Sequence, residues 1–275
     1  MTIIERNRKL WAEAITGERD KEVNVAELWE ENSTPSVFTV PLGYQGSDED
    51  VQSIDVVIDQ NSSAHGAIYG RVGMGKSVAL DTFFLTLAAK YPPNVAEFVF
   101  ASGKGRVSQA SKLPHTKKAF TVYDAEQVKN FANYVRDLIS EREKFAKENE
   151  LLTITPTDLP AVFIAVEEVW GVLDSGLGDV LDDVATVGRA LGIHLVVVGQ
   201  LMKPGRYSEQ FIQNLGWGMS FDPSQNDVVE WPSGMVFDAT KPGRGFFSSR
   251  NETTPLQVFY LREYGSDDVS FISGL

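Results

Sequence analysis

The residues best suited to chemistry lie together in one short glycine-rich stretch of the sequence. That stretch reads Gly70, Arg71, Val72, Gly73, Met74, Gly75, Lys76 and Ser77, in the pattern G-x-x-x-x-G-K-[ST]. Glycines let a backbone curl so that consecutive N–H groups point inward at an anion. Lys76 would reach the β- and γ-phosphates of a nucleotide, and the Ser77 hydroxyl would hold Mg²⁺. The stretch therefore predicts a site for a nucleoside triphosphate with Mg²⁺.

The flanking residues supply the context that this motif, the P-loop, requires. Ala67 to Tyr69 predicts the end of a strand, and Val78 to Lys90 has helix-compatible apolar spacing without an internal glycine or proline. The positive end of the helix dipole would then face the bound phosphates. The alternative is a glycine-rich turn that binds no ligand.

A second candidate element is an apolar strand that ends in two acids. Ala161 to Val166 is continuously apolar and runs into Glu167 and Glu168. Strands of doubly wound sheets point their carboxyl ends at the ligand crevice, so we assign Glu167 to Mg²⁺ and Glu168 to activation of the attacking water. Because Asp is usual at the first position, the longer Glu167 would shift the metal contact and slow turnover. The alternative is a solvated loop that begins at these two acids.

A third element runs from Gly188 to Gln200 and contains another apolar strand, which ends near Gln200. Gln200 would sense the γ-phosphate through a hydrogen bond, and its alternative is an amide that caps a loop. Arg189 could act as an arginine finger on the nucleotide of a neighbouring subunit. Its alternative is a surface arginine paired with an acid. His194 lies among apolar residues and is interpreted as a packed histidine.

Composition excludes several other classes of function. The chain has 275 residues and no cysteine, which excludes a disulfide scaffold, a thiol nucleophile and a cysteine zinc site. No apolar run approaches the length of a membrane span, so we expect no direct membrane insertion. The net charge of −13 weakens a DNA-binding interpretation without excluding it, because nucleic-acid affinity rests on basic residues.

The order of predicted elements indicates two parts. Residues 1–35 predict a helical N-terminal leader, and residues 36–275 predict one α/β domain with a mainly parallel central sheet flanked by helices. Predicted strands include Val95 to Ala101, Thr121 to Tyr123 and Ile193 to Val198. A long helix is predicted from Ala125 to about Asn149, and another from Val180 to Leu191.

In combination, these segments resemble the FtsK/SpoIIIE branch of the HerA/FtsK superfamily of P-loop ATPases. Within that branch the sequence is most similar to the ATPase modules of EccC/EssC, the motor of type VII secretion. The segments that carry the resemblance are the P-loop, Phe100 to Gly105, the acidic strand end, Gly188 to Gln200, Val40 to Gly43, Leu113 to His115 and Pro242 to Gly245. Ser102 departs from the pattern, since the family commonly has Asp there.

The resemblance implies a RecA-like core, ATP and Mg²⁺ as cofactors, and assembly into a hexameric ring or tandem modules. It also implies hydrolysis that moves a polymer, either a secreted protein or DNA, with a cytoplasmic location, peripheral at a membrane-anchored secretion partner. Two alternatives stay open: a DNA translocase of partition, conjugation or viral packaging, and a weakly hydrolysing module that uses ATP for assembly. A small-molecule kinase would fit the P-loop but leaves Gly188 to Gln200 unexplained.

Overall fold

One mixed sheet organises the chain. The computed structural model describes residues 2–46, 51–59, 64–104, 108–168, 177–200, 208–221, 228–230, 236–238, 241–249, 252–262, 270–272 and 274–275. Its strands are β1 (Phe38–Gly46), β2 (Val51–Ile58), β3 (His65–Gly70), β4 (Ala96–Ser102), β5 (Thr116–Thr121), β6 (Ala161–Glu167), β7 (Ile193–Gly199), β8 (Leu215–Phe221), β9 (Val228–Glu230), β10 (Val236–Asp238), β11 (Arg244–Ser249) and β12 (Glu252–Val258). Gly105, part of one predicted signature, lies outside the described residues.

The sheet has a parallel half and an antiparallel half that meet at β8. Its order is β2-β1-β12-β11-β8-β3-β7-β6-β4-β5, and β9 pairs only with β10 in a separate small sheet within the described residues. Every neighbouring pair from β8 to β5 is parallel. The pairs from β8 to β2 are antiparallel. The predicted α/β fold with a mainly parallel central sheet is confirmed.

Helices cover both faces of the parallel half. They are α1 (Ile3–Thr16), α2 (Val25–Glu31), α3 (Lys76–Lys90), α4 (Ala125–Glu148), α5 (Leu177–Val187) and α6 (Glu209–Gln213). Alternate residues of β6 divide between two cores: Phe163 packs on the α3 side, whereas Val162 and Ile164 pack on the side of α4 and α5. Strands buried on both faces read as continuous apolar runs, which is why β6 and β7 were visible in the sequence.

The two predicted leader helices form and pack against α3. Trp11 of α1 is fully buried, and its indole Nε1 donates a 3.0 Å hydrogen bond to the Thr86 hydroxyl. The indole of Trp29 in α2 donates to the carbonyl of Ala88 at 2.8 Å. The helix α3 is consequently covered by the sheet and by the leader, which explains why nearly all its residues are buried. Division of the chain at residue 35 into a leader and a domain stays a prediction.

Two elements differ from their predicted bounds. The predicted strand Thr121 to Tyr123 is replaced by β5, which ends at Thr121 and whose polar residues lie largely exposed at the edge of the sheet. The helix α5 ends at Val187, because the chain turns at Gly188 and again at Gly192, whose φ is +65°. None of the helices in the described ranges combines the length and apolar character needed to cross a bilayer.

Candidate nucleotide-binding site

The glycine-rich loop lies between β3 and α3, as the sequence predicts. Gly75 is the N-cap of α3, with a φ of +105° and no side chain capping the first turn in the described structure. A Cβ at Gly75 would lie 2.9 Å from the amide nitrogen of Gly243, so glycine is required by contact as well as by φ. The uncapped amides of the first turn are donors available to an anion.

Two distant segments hold the loop from outside. The amide of Arg71 donates to the carbonyl of Phe221 at 3.3 Å, and the amide of Gly243 donates to the carbonyl of Met74 at 3.0 Å. Sequence reasoning had noted Pro242 to Gly245 only as part of a resemblance and gave it no role. Gly243 and Gly245 were the signal in the sequence for this contact. Gly243 adopts a φ of +77°, which favours glycine, where it approaches the loop.

The remaining loop residues differ in exposure. Arg71, Val72 and Gly73 are exposed, whereas Met74 is half-buried and packs on the core. Val72 keeps 75% of its surface exposed, which is unusual for an apolar side chain and places it at the tip of the loop. The tip of the loop is therefore exposed to solvent.

Lys76 is folded back over the loop. Its Nζ donates hydrogen bonds to the carbonyls of Gly70 at 2.7 Å and Arg71 at 2.9 Å, and the residue is only 5% exposed. Burial and the nearby charge of Lys104 lower the pKa of Lys76, and the carboxylates of Glu168 and Glu167 partly offset this. A buried ammonium held only by carbonyls in the described contacts can exchange them for phosphate oxygens, which are stronger acceptors.

The two predicted acids lie opposite the loop. Glu167 ends β6, is 5% exposed, and accepts a 3.0 Å hydrogen bond from the Ser77 hydroxyl at Oε1. Glu168 follows with a φ of +48°, a backbone conformation that residues other than glycine rarely adopt. Its amide donates to the carbonyl of Val198 at 2.9 Å, which fixes the bend at the strand end. The structure thus brings Ser77, Glu167 and Glu168 together.

Lys104 is a site residue that sequence reasoning left without a role. Its Nζ lies 3.1 Å from Oε1 of Glu167 and 3.0 Å from Oε1 of Glu168. Burial alone would lower the pKa of Lys104, but the charges of both glutamates and their hydrogen bonds outweigh burial and raise it. The signal in the sequence was a lysine two residues after the end of β4, which is the neighbour of β6 in the sheet.

The last two predicted residues lie at opposite ends of β7. Gln200 follows the carboxyl end of β7, whose neighbours in the sheet are β3 and β6, and is exposed. Arg189 precedes the amino end of β7 and is exposed beside His65, so it is not brought together with Lys76 of the same chain. The role of Arg189 toward the nucleotide of a neighbouring subunit stays a prediction, as does its alternative, a surface arginine paired with an acid.

His194 is a packed histidine, as predicted. It is buried, its Nδ1 lies 3.1 Å from the carbonyl of Ala64, and its ring stacks on Phe163. His65 is also buried, and its Nδ1 accepts the amide of Leu195 at 3.1 Å. No group of three or more metal-ligating His, Asp or Glu side chains occurs in the part of the chain that the structure describes.

The donor set fits a triphosphate with Mg²⁺. Free amides at the start of α3 and the ammonium of Lys76 suit phosphate oxygens, while the Ser77 hydroxyl and one carboxylate of Glu167 are oxygen ligands. Mg²⁺ is commonly held by one or two carboxylates together with phosphates and water, without an all-protein cage. These residues therefore match the cation as well as the nucleotide.

The fold and the loop define a RecA-like P-loop domain. The FtsK/SpoIIIE family model matches residues 25–155. Among curated proteins, the type VII secretion system protein EssC of Staphylococcus aureus strain NCTC 8325 is 25% identical over 251 residues, which cover 84% of this chain and 16% of EssC. The ESX secretion system protein YukB of Bacillus subtilis strain 168 is 27% identical over 207 residues, 67% of this chain and 13% of YukB. The predicted resemblance to FtsK/SpoIIIE ATPases, and among them to EssC-type modules, is confirmed.

Solved structures agree on the fold. The cytoplasmic domain of the type VII secretion ATPase EccC from Thermomonospora curvata superposes with a TM-score of 0.73 at 20% identity, covering 96% of this chain and 34% of that one. ATPases 2 and 3 of EssC from Geobacillus thermodenitrificans give a TM-score of 0.67 at 19% identity, covering 88% and 47%. The chain thus spans less than half of these solved chains and under a fifth of the curated relatives.

Proposed function

We propose that this chain is an ATP-hydrolysing motor module of the FtsK/SpoIIIE type, which works in an assembly of modules to move a secreted protein. The observation that carries the proposal is the convergence of Lys76, Ser77, Glu167 and Glu168 at the carboxyl edge of the parallel strands. An intact phosphate loop alone would support binding; the acids opposite it supply what hydrolysis needs.

Each side chain has a separate task in this proposal. Lys76 leaves the carbonyls of Gly70 and Arg71 for the β- and γ-phosphates, and the amides at the start of α3 bind the same oxygens. Ser77 and Glu167 hold Mg²⁺, which when bound neutralises charge on the phosphates. Glu168 accepts a proton from the attacking water.

Two further residues link the site to an assembly. Gln200 donates a hydrogen bond to the γ-phosphate and so distinguishes the triphosphate from the diphosphate. Arg189 reaches the nucleotide of the next module in a ring or tandem array, because its own P-loop lies at the other end of the strands. This arrangement makes hydrolysis depend on contact between modules.

The proposed cargo is a protein, with the module on the cytoplasmic side of a membrane-anchored secretion complex. In one solved structure, ATPases 2 and 3 of EccC from Thermomonospora curvata are in complex with a signal sequence peptide. The net charge of −13 here also favours a protein partner over DNA. The second candidate is a DNA translocase; it is favoured by the fold shared with the pCW3 conjugation coupling protein TcpA at a TM-score of 0.62.

One experiment separates these functions. ATP binding, ATPase rate and molar mass by light scattering are measured for the chain alone, with a secretion-signal peptide, and with duplex DNA at rising salt. We expect binding and hydrolysis that a signal peptide and assembly stimulate. Stimulation by DNA that weakens with salt would favour the second candidate instead.

Lys76→Ala serves as the site variant in that experiment and Lys118→Ala as its control. Lys118 is an exposed lysine on β5, so its loss removes the same charge away from the loop. Loss of labelled-ATP binding is expected in Lys76→Ala alone. Equal affinity in both variants would overturn the site, while binding without hydrolysis in any assembly would support an ATP-dependent assembly module.

A further inference from the structure

Lys104 contacts both acids of the proposed ATPase site. Its ammonium lies 3.1 Å from Oε1 of Glu167 and 3.0 Å from Oε1 of Glu168, which places one cation between two carboxylates. The side chains of Glu167 and Glu168 are only 7% and 17% exposed, and that of Lys104 is 32% exposed. An ion pair this well shielded from water is screened far less than a surface pair.

The backbone fixes where this lysine lies. Ser102 pairs with Glu167 in the register of β4 and β6, and the amide of Gly103 donates to the carbonyl of Glu167 at 2.9 Å. The amide of Lys104 donates to the Ser102 hydroxyl at 3.2 Å, which shapes the turn after β4. The pairing of β4 with β6 therefore determines the position of Lys104 and keeps its ammonium close to both carboxylates.

One oxygen of Glu167 contacts both Lys104 and Ser77. Oε1 of Glu167 accepts the Ser77 hydroxyl at 3.0 Å as well as the ammonium of Lys104. Mg²⁺ takes oxygen ligands at about 2.0–2.1 Å in nearly octahedral geometry. An ammonium hydrogen-bonded to an oxygen that also binds a dication would be strongly repelled at that distance.

We propose that Lys104 is a positioning residue whose ammonium offsets part of the negative charge of Glu167 and Glu168 in the empty site, and that this ammonium must leave Glu167 when that carboxylate holds Mg²⁺. The proposal rests on the proposed function of the site. Glu168 retains the ammonium after this change, since its Oε1 lies 3.0 Å from Nζ of Lys104. A cavity of about 150 Å³, lined in part by Lys104, Ser77, Asp81 and Glu167, provides room for the movement.

The test measures the Mg²⁺ concentration that half-saturates binding of a nonhydrolysable fluorescent ATP analogue. Removal of the competing cation in Lys104→Gln should lower that midpoint by roughly twofold to fivefold, the scale of one partly exposed ion pair. Lys104→Arg keeps the charge and should stay near the wild-type midpoint. Lys104→Met, which keeps the methylene stem, repeats the measurement should Lys104→Gln lose its fold.

Lys117→Gln is the matched control, because Lys117 pairs with Glu97 at 2.9 Å on the neighbouring strand and its loss changes net charge equally. Its Mg²⁺ midpoint should equal that of the wild type. An unchanged or raised midpoint in Lys104→Gln overturns the role of Lys104, as does a shift of equal size in Lys117→Gln. Failure of the wild type to bind the analogue at any Mg²⁺ concentration would instead overturn the proposed function.

Discussion

The hydroxyl of Ser77 donates a 3.0 Å hydrogen bond to Oε1 of Glu167 and so joins the first turn of α3 to the end of β6. The two residues are 90 positions apart in the chain. They meet because β3 and β6 lie on either side of β7, and parallel strands bring their carboxyl ends to one edge. A substitution of Ser77 or of Glu167 therefore affects the same site.

Glu168→Gln should separate binding from hydrolysis. The amide cannot accept a proton from water, so we expect turnover to fall by about 10²-fold or more while ATP affinity is kept or rises. Single-turnover hydrolysis and equilibrium binding of labelled ATP measure the two effects. Glu150→Gln is the control, because Glu150 is an exposed glutamate that also adopts a positive φ, of 54°. Wild-type turnover in Glu168→Gln would assign the proton transfer to another group.

Arg189→Ala should impair hydrolysis only in assembled protein. An arginine supplied between subunits commonly contributes on the order of 10³-fold or more to turnover. Mixing Arg189→Ala with Lys76→Ala provides the decisive measurement, since the second variant can lend its Arg189 to the intact P-loop of the first. Recovery of activity in the mixture is expected, with Arg19→Ala, a substitution of an exposed arginine near Glu13, as the control.

An equal loss of activity in dilute monomer and in assembly, with no recovery on mixing, would contradict a role between subunits. It would leave Arg189 as a surface arginine at the amino edge of the sheet, which was the alternative at the outset.

Trp11→Ala should destabilise the whole domain. Trp11 is 1% exposed, and its truncation opens a cavity between α1 and α3 and leaves the Thr86 hydroxyl without its donor. The expected cost is about 3–5 kcal/mol in the free energy of unfolding, measured by chemical denaturation. Leu152→Ala removes an apolar side chain that is 96% exposed and should change stability by less than about 0.5 kcal/mol. A loss below about 1 kcal/mol in Trp11→Ala would mean that the leader unfolds independently.

Stability should decline as the pH falls below about 6.5, the ordinary histidine pKa. Burial, with smaller contributions from the charges of His194 and Arg189, lowers the pKa of His65 to about 3; burial lowers that of His194 to about 4. Between the ordinary value and these lowered values the unfolded chain binds protons that the folded chain does not. The stabilisation is thus complete above pH 6.5 and is lost progressively as the pH falls toward about 4 for His194 and about 3 for His65.

The slope of that decline can be assigned by substitution. Each buried histidine contributes up to about 1.4 kcal/mol per pH unit within this window. His65→Asn keeps an acceptor for the amide of Leu195. It should reduce the slope of the unfolding free energy against pH, between pH 6.5 and 5, by the contribution of one histidine. Denaturation at a series of pH values measures it; an unchanged slope would show that His65 is not the group responsible.

The parallel core could be read from the sequence because its elements are locally distinctive. β6 and β7 are apolar on both faces, and the P-loop combines glycines with Lys76 and Ser77 in a fixed spacing. Those features also predicted the positions of Glu167 and Gln200 at strand ends.

Other features depend on contacts that a local pattern does not contain. β5 is polar because it lies at the edge of the sheet. The predicted strand was therefore placed too far along the chain, around the buried Val122. The role of Lys104 depends on β4 being the neighbour of β6, and strand order is a long-range property. The antiparallel pairing of β12 with β1 was not predictable from spacing, because it joins strands that lie far apart in the chain.

The contacts of the P-loop with Phe221 and Gly243 have a consequence for how the protein is made. Synthesis proceeds from the amino end, so the loop emerges long before the two segments that hold it. A nascent chain that stops before Gly243 lacks the partner of the Met74 carbonyl. Nucleotide can therefore stabilise the complete loop only after Gly243 has been synthesised, and ATP should protect chains that include Gly243 from proteolysis far better than chains that stop before it.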